Sequence, residues 1–329
     1  MKVAINGMGR IGRASLKIIL DTPELELVAV NDIVSIENIA YLLKYDTVYG
    51  IYEKEVSHTD NALIVDGKEI KFFSERNPED LPWAELNVET VIESTGVFTK
   101  QVDLDKHIKA GAKVVALSAP TKDANTPTIV HGVNDLSNGV NSFSCASCTT
   151  NNVSPIMEIL GRRIGVRKAI MTTIHAYTAS QHSVDSPSKK NFRLGRASAA
   201  NIIPTTTGAA IATTLTLPQF ENKFDGVAVR VPIPVGSISD MTLVLEKNTT
   251  VDEVNTILME EAETDRYKKV LSTTSEPIVS SDIVKNPYAS TVDLGMTKVV
   301  DGDLLKIMTW YDNEWGFTNQ MIRQIVEMS

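Results

Sequence analysis

Cys148 stands in Ser147-Cys148-Thr149-Thr150-Asn151, and the residues behind it, 149–163, carry apolar side chains at 153, 156, 157 and 160, the spacing of a helix face. A thiol at a helix start meets unpaired N–H groups and the positive end of the helix dipole, which should pull its pKa below the free value of about 8.5. A lone cysteine is more often a buried structural side chain. His175 tips that balance. It follows a buried-looking strand, Ile170-Met171-Thr172-Thr173-Ile174, and precedes the polar loop Ala176-Tyr177-Thr178-Ala179-Ser180-Gln181. An imidazole at a strand end can take a proton from a thiol or from an aldehyde-derived hydroxyl. His58, His107, His131 and His182 lack such a setting and read as surface or core residues.

A second chemical feature opens the chain. Gly7-Met8-Gly9-Arg10-Ile11-Gly12 lies between an apolar strand, Val3–Asn6, and a helical pattern with Ile11, Leu16, Ile18, Ile19 and Leu20. Gly7 permits a tight turn, Gly9 lets backbone approach a phosphate, and Gly12 lets helix pack on strand. A pyrophosphate would face the helix amino end. The next strand, Leu25–Asp32, ends in an acid 20 residues past Gly12, the spacing for a carboxylate on the adenosine ribose. Such a glycine turn alone is a weak signal; strand, helix and acid together make it a dinucleotide site. A hydride carrier and a covalent nucleophile in one chain suggest oxidation of an aldehyde through a thioester.

These groups need two scaffolds. Strand patterns at Thr90–Glu93, Lys113–Ser118 and Thr128–His131, with helical segments between several of them, predict an α/β, Rossmann-type doubly wound sheet over residues 1–147. Thr95-Gly96 and Ser118-Ala119-Pro120 fall just past strand ends, where such sheets bind ligands. Residues 148–313 predict an α+β catalytic domain. Its strands, 225–232, 238–246 and 303–312, form a mixed or antiparallel sheet covered by helices 149–163 and 251–264. Within Val227-Ala228-Val229-Arg230-Val231 the valines alternate to one face and Arg230 to the other. Residues 314–329, with Phe317, Met321, Ile322, Ile325, Val326 and Met328, predict a terminal helix returning to the first domain.

Composition narrows the setting. The 329 residues suffice for two domains, and 43% hydrophobic content supplies a core. The net charge is −9 with no basic block, so neither nucleic acid nor an anionic membrane is an expected partner. Apolar runs stay short of the roughly 18–20 residues that span a bilayer. The chain enters its first strand with no leader pattern, and two cysteines make no disulfide framework; both point to the cytoplasm.

Nearly end to end, the chain resembles the phosphorylating glyceraldehyde-3-phosphate dehydrogenases. The resemblance is carried by Ile5–Arg13, Leu43-Lys44-Tyr45-Asp46, Glu93-Ser94-Thr95-Gly96, Ser147–Asn151, Thr173-Ile174-His175-Ala176, Ile202–Ala210, Arg230-Val231-Pro232 and Asp312–Phe317. It implies that Cys148 attacks D-glyceraldehyde 3-phosphate, that His175 takes the proton, and that inorganic phosphate cleaves the thioester to 1,3-bisphosphoglycerate, a step of glycolysis and gluconeogenesis. Thr178 and Arg230 would hold the substrate's C3 phosphate, and Ser147, Thr149, Thr207 and Gly208 the inorganic phosphate. Arg10, Ile11, Asp32, Arg76, Ser118 and Asn313 would bind the cofactor, Asn313 through the nicotinamide carboxamide. No metal is implied. The loop 177–202 would lie at a subunit interface of a homotetramer.

Four positions depart from the family pattern: Met8 for the usual Phe, Cys145 for Asn, Asn152 for a second Cys, and Leu194 for the arginine of many bacterial members. Cys145 creates a CxxC with Cys148, split between an incoming strand and the helix cap. Asp32 opposes a 2′-phosphate and favours NAD. Asp185-Ser186-Pro187-Ser188 resembles NAD-using members, and a serine near the ribose also occurs in NADP-tolerant ones, which leaves NADP as the second cofactor the resemblance implies. The alternatives are erythrose-4-phosphate dehydrogenase, aspartate-semialdehyde dehydrogenase, and a macromolecule-binding protein of the same fold. The intact Thr206-Thr207-Gly208-Ala209 disfavours the first, the surrounding motifs the second, and the intact thiol, histidine and anion residues the third.

Overall fold

The computed structural model describes every residue except 122, 137, 138, 189, 190 and 329. The chain divides into two compact units. One comprises Met1–His131, Asp135–Ala146 and Met321–Ser329; the other comprises Gly132–Asn134 and Ser147–Gln320.

The first unit opens with β1 (Lys2–Asn6), α1 (Arg10–Ile19), β2 (Glu26–Asn31) and α2 (Ile36–Lys44). A small ribbon, β3 (Tyr45–Asp46) with β4 (Gly50–Ile51), follows. Then come β5 (Val56–His58), β6 (Ala62–Val65), β7 (Lys68–Phe73), β8 (Thr90–Glu93), α3 (Gln101–Lys109), β9 (Val114–Leu117) and β10 (Ser142–Ser144). The sheet runs β10-β9-β8-β1-β2-β7-β6-β5, parallel from β10 to β7 and antiparallel through β6 and β5. Strands β1, β8 and β9 are apolar and almost wholly buried, as the middle of a parallel sheet requires. Val28, Phe73 and Leu86 pack against a buried cluster that includes Ala4, Ala29, Trp83 and Val91.

One expectation is corrected by the sheet, and one part of it has no counterpart in the sequence reading. Thr128–His131 is not a strand: only Thr128 bridges to Ser144, and the edge strand is Ser142–Ser144. The Thr128–Val130 run is apolar because it is buried, not because it is paired along its length. The antiparallel extension β5–β7 has weak alternation and was not foreseen.

The second unit holds α4 (Cys148–Arg163), β11 (Val166–Ala176), β12 (Ile203–Thr206), α5 (Ala209–Thr216), β13 (Phe224–Val231), β14 (Ser237–Leu245), α6 (Val251–Ala262), β15 (Leu271–Thr274), β16 (Ser290–Asp293), β17 (Lys298–Val300) and β18 (Leu304–Tyr311). Its mixed sheet runs β12-β13-β11-β14-β18-β16-β15, with β17 on β18. Pairing is parallel only for β11–β13 and β15–β16. The last helix, α7 (Trp315–Glu327), starts in this unit, where Asp312 Oδ1 accepts the N–H groups of Glu314 and Trp315. Its end, from Met321, belongs to the first unit.

Alternation is clear along β11 and β18. Met171, Thr173 and His175 face inward, as do Leu305, Ile307, Thr309 and Tyr311. The buried-looking Ile170–Ile174 run is therefore half-buried, with Ile170 60% exposed. In β13 the inward face carries Ala228, while the valine face is the more open one, Val227 being 50% exposed. Among the described residues no helix is long and apolar enough to cross a membrane, and no acidic, histidine or cysteine cluster suits a metal.

Candidate active site

Ser147 caps α4: its Oγ accepts the Thr150 N–H at 3.0 Å and lies 2.7 Å from Thr150 Oγ1. Cys148 is thus the first helical residue, half-buried, with its sulfur among the first backbone N–H groups. Sγ lies 3.4 Å from His175 Nε2. β11 supplies the histidine from its penultimate position, a residue inside the strand rather than just past it.

Register brings in a third group. In the parallel pair β11–β13, His175 lies opposite Arg230. The Arg230 guanidinium touches His175 Nδ1 and donates to the Ala176 carbonyl at 3.1 Å, the same carbonyl that Nδ1 approaches at 2.7 Å. The Arg230 Nε has no hydrogen-bond partner, so the guanidinium retains donor capacity for an anion.

Charge states follow from these contacts. Burial pushes the Cys148 thiol above its ordinary value, against the pull of Arg230, the Thr149 hydroxyl and the N–H groups of Cys148 and Thr149. The expected lowering at the helix start is present but is outweighed. Burial, then the Arg230 charge, pushes His175 down to about 3. The resting pair is a thiol beside a neutral imidazole.

Tyr311 was missed in the sequence. Its hydroxyl, buried at the end of β18, bridges Thr149 Oγ1 at 2.9 Å and Thr173 Oγ1 at 2.7 Å. Its ring meets His175 edge-on, with centroids 5.9 Å apart. One residue thereby braces the helix start against the strand that carries His175. Only the pairing of β18 with β14, Tyr311 opposite Ser237, reveals that position, and no local pattern encodes it.

The remaining anion candidates lie at loop and helix starts. Thr178 is two residues past β11, with its Oγ1 2.9 Å from Ser180 Oγ and its N–H on Gln181 Oε1. Thr207 Oγ1 accepts the Ala209 N–H, and Gly208 caps α5 with open space where a Cβ would stand. Asn313 is buried; its Oδ1 accepts from the Gly236 N–H and the Ser237 hydroxyl, each at 3.1 Å, which leaves Nδ2 as its donating end. Asn152 is fully buried inside α4, its Nδ2 3.3 Å from Thr309 Oγ1.

In the first unit a cavity of about 350 Å³ is lined by Asn6, Gly7, Gly9, Asn31, Asp32, Glu75, Arg76, Thr95 and Phe98, among others. Gly7 has φ +96°, and a Cβ there would come within 2.6 Å of the Thr95 nitrogen. Gly12 presses on the Gly7 carbonyl, which a Cβ would meet at 1.9 Å. Gly9 is open, and α1 starts without a side-chain cap or an acid in its first turn. Asp32 accepts the Met8 N–H at 2.6 Å and the Val34 N–H at 3.0 Å, so its carboxylate borders the glycine turn. These features fit a dinucleotide: an open glycine, an uncapped helix start and an acid at the next strand end. Arg10 and Ile11 open α1, and the Arg10 guanidinium pairs with Asp46 at 2.5 Å. Ser118 follows β9 and is not among the residues lining this cavity.

Two family models match the chain: the NAD binding domain of glyceraldehyde 3-phosphate dehydrogenase over residues 1–101, and its C-terminal domain over residues 147–313. The chain belongs to the glyceraldehyde 3-phosphate dehydrogenase family. Its relatives include glyceraldehyde-3-phosphate dehydrogenase 2 of Streptomyces avermitilis, 50% identical over 326 residues, covering 98% of this chain and 96% of the relative. The glyceraldehyde-3-phosphate dehydrogenases of Streptomyces coelicolor (50%) and Geobacillus stearothermophilus (46%) are matched to the same 98% and 96%. The matched C-terminal domain of glyceraldehyde 3-phosphate dehydrogenase contains Cys148, His175, Arg230 and Tyr311; the matched NAD binding domain contains the glycine turn, Asp32 and Arg76.

Proposed function

We propose that this protein oxidises D-glyceraldehyde 3-phosphate, with NAD and inorganic phosphate, to 1,3-bisphosphoglycerate through a thioester on Cys148. The observation that carries this reading is the 3.4 Å approach of Cys148 Sγ to His175 Nε2 at a helix start, with Arg230 beside the imidazole.

Sγ attacks the aldehyde carbon while its proton passes through Nε2 to the former aldehyde oxygen, leaving a thiohemiacetal hydroxyl on Cys148 and a neutral His175. A neutral imidazole suits that step when its proton is on Nδ1, facing the Ala176 carbonyl, so that the Nε2 lone pair is open to the thiol. NAD, when bound, supplies the hydride acceptor. His175 holds the proton released from the thiohemiacetal hydroxyl. Phosphate oxygen then adds to the thioester carbonyl, the C–S bond breaks with its electron pair on sulfur, and the thiol returns. Arg230 and Thr178 hold the C3 phosphate; Ser147, Thr149, Thr207 and Gly208 serve the inorganic phosphate with hydroxyls and N–H groups. The Thr149 hydroxyl is turned to Tyr311, so its N–H is the better donor.

In the first unit Arg10, Ile11 and the glycine turn would take the pyrophosphate, Asp32 and Arg76 the adenosine side, and Ser118 the nicotinamide side; Asn313, a residue of the second unit, is the family's partner for the nicotinamide carboxamide. The Asp32 charge favours NAD over NADP. On the same reading residues 1–147 form the NAD-binding domain and 148–313 the catalytic one, with 314–329 returning to the first; the protein is a cytoplasmic homotetramer. NADH formation from glyceraldehyde 3-phosphate, with phosphate and with arsenate in its place, tests the reaction. No NADH with either anion would refute it.

A further inference from the structure

Three strands that end side by side, β8, β1 and β2, finish in Glu93, Asn6 and Asn31, which lie opposite one another in register and are at most 3% exposed. Glu93 is a fully buried carboxylate to which the reaction assigns no role. Its Oε2 accepts from Asn6 Nδ2 at 2.6 Å and lies 3.0 Å from His107 Nε2. Its Oε1 accepts the Thr95 N–H at 2.8 Å and the Thr95 hydroxyl at 2.5 Å. His107 is itself fully buried on α3, and its Nδ1 accepts the Trp83 indole N–H at 3.0 Å. An indole nitrogen can only donate, so Nδ1 is bare and the imidazole proton sits on Nε2, aimed at Glu93. Every contact thus presents a donor to Glu93, the pattern of an ionised carboxylate beside a neutral histidine.

The row continues to both walls of the dinucleotide cavity. Asn6 Oδ1 accepts from Asn31 Nδ2 at 2.7 Å; Asn31 in turn clasps the Glu75 backbone, donating to its carbonyl at 2.9 Å and accepting its N–H at 2.8 Å. Glu75 and Arg76 form one wall, and Thr95, Val97 and Phe98 belong to another. We infer that Glu93, its state fixed by His107 and Trp83, is the positioning residue for this cavity, holding its two walls at the spacing that takes a dinucleotide. The inference rests on reading the cavity as the NAD site.

Glu93→Gln puts an amide N–H₂ among donors and breaks the row without changing size. The expected result is an NAD dissociation constant, by isothermal titration, raised tenfold or more. KM for NAD rises in step, while kcat at saturating NAD stays within a few-fold. The rate of Cys148 alkylation in cofactor-free protein, a readout of the other unit, holds at the parent's. A purely structural carboxylate would instead lower thermal stability and alkylation behaviour together, with no selective loss of NAD affinity. If Glu93→Gln does not fold, Asn31→Asp, which removes the donor to Asn6, and Thr95→Val should each weaken NAD binding several-fold in folded protein. An unchanged NAD dissociation constant in the folded variants overturns the inference. Failure of the parent protein to bind NAD at all would overturn the reading of the cavity itself, and is seen in the same titration.

Discussion

His175 and Arg230 sit directly opposite each other on neighbouring parallel strands, and the guanidinium lies against the imidazole Nδ1. A fixed positive charge so close disfavours a second one, which is one cause of the depressed histidine pKa. Arg230, the proposed phosphate clamp, and His175, the proposed base, are therefore electrostatically linked before any substrate arrives.

Arg230→Leu should raise KM for glyceraldehyde 3-phosphate steeply and leave unphosphorylated glyceraldehyde little affected. Loss of a charge-assisted contact costs a few kcal/mol, on the order of a hundredfold in kcat/KM. Removing the positive charge should also move both neighbours upward, the thiol of Cys148 and the imidazole of His175, since Arg230 lowers each. Alkylation-versus-pH curves and kinetics with both aldehydes check this. Equal losses for the two substrates in a destabilised variant would count against the clamp.

Cys148→Ser should abolish aldehyde oxidation while NAD binding, measured by titration, survives. A serine hydroxyl is far too weak an acid to stand in for the thiol. Appreciable steady-state turnover by the variant would remove Cys148 from its role.

His175→Asn should slow turnover by about 10²–10⁴-fold, the usual share of a general base. It should also flatten the acid side of the stability curve. The native imidazole titrates near 3 against an ordinary value of 6.5, so between those values the unfolded chain binds a proton that the native one does not. Stability is therefore full above 6.5 and falls as the pH drops towards 3. From pH 6.5 to 5 the histidine contributes about 2 kcal/mol of that loss. Denaturant titrations of parent and variant at both pH values measure the difference; parallel curves would contradict it.

Asp32→Ala should bring the kcat/KM values for NAD and NADP towards each other, because the carboxylate beside the glycine turn repels a 2′-phosphate. An unchanged ratio would shift the preference to the loop around Ser188.

Tyr311→Phe deletes one hydroxyl and removes the partner shared by two others, those of Thr149 and Thr173. A stability loss of about 1–3 kcal/mol is expected from thermal or chemical melts, with slower Cys148 alkylation as the helix start loosens. A variant as stable and as reactive as the parent would refute the brace.

What could be read from sequence was what lies close along the chain. The glycine turn, the acid at the end of β2 and the thiol at the start of α4 are local patterns, each set within one strand–turn–helix step. The pairing of His175 with Arg230 and of Tyr311 with Thr149 depends on which strands lie side by side, a long-range fact with no local trace. Thr128–His131 misled for the complementary reason: its apolar character reports burial, and burial does not require a ladder of strand bonds. The thiol pKa misled because helix-end N–H groups and desolvation act in opposite directions, and only the packed structure shows which is larger.

The Trp83 hydrogen bond to His107 has an optical consequence. Of the three tryptophans, only Trp83 is fully buried; Trp310 and Trp315 are partly open to solvent. Dissolved iodide should extinguish the emission of the open pair and spare that of Trp83. The light that survives comes from an indole tied, through one imidazole, to the carboxylate that holds Thr95 at the proposed dinucleotide cavity, so the protein carries its own dye where cofactor arrival would be felt on that reading.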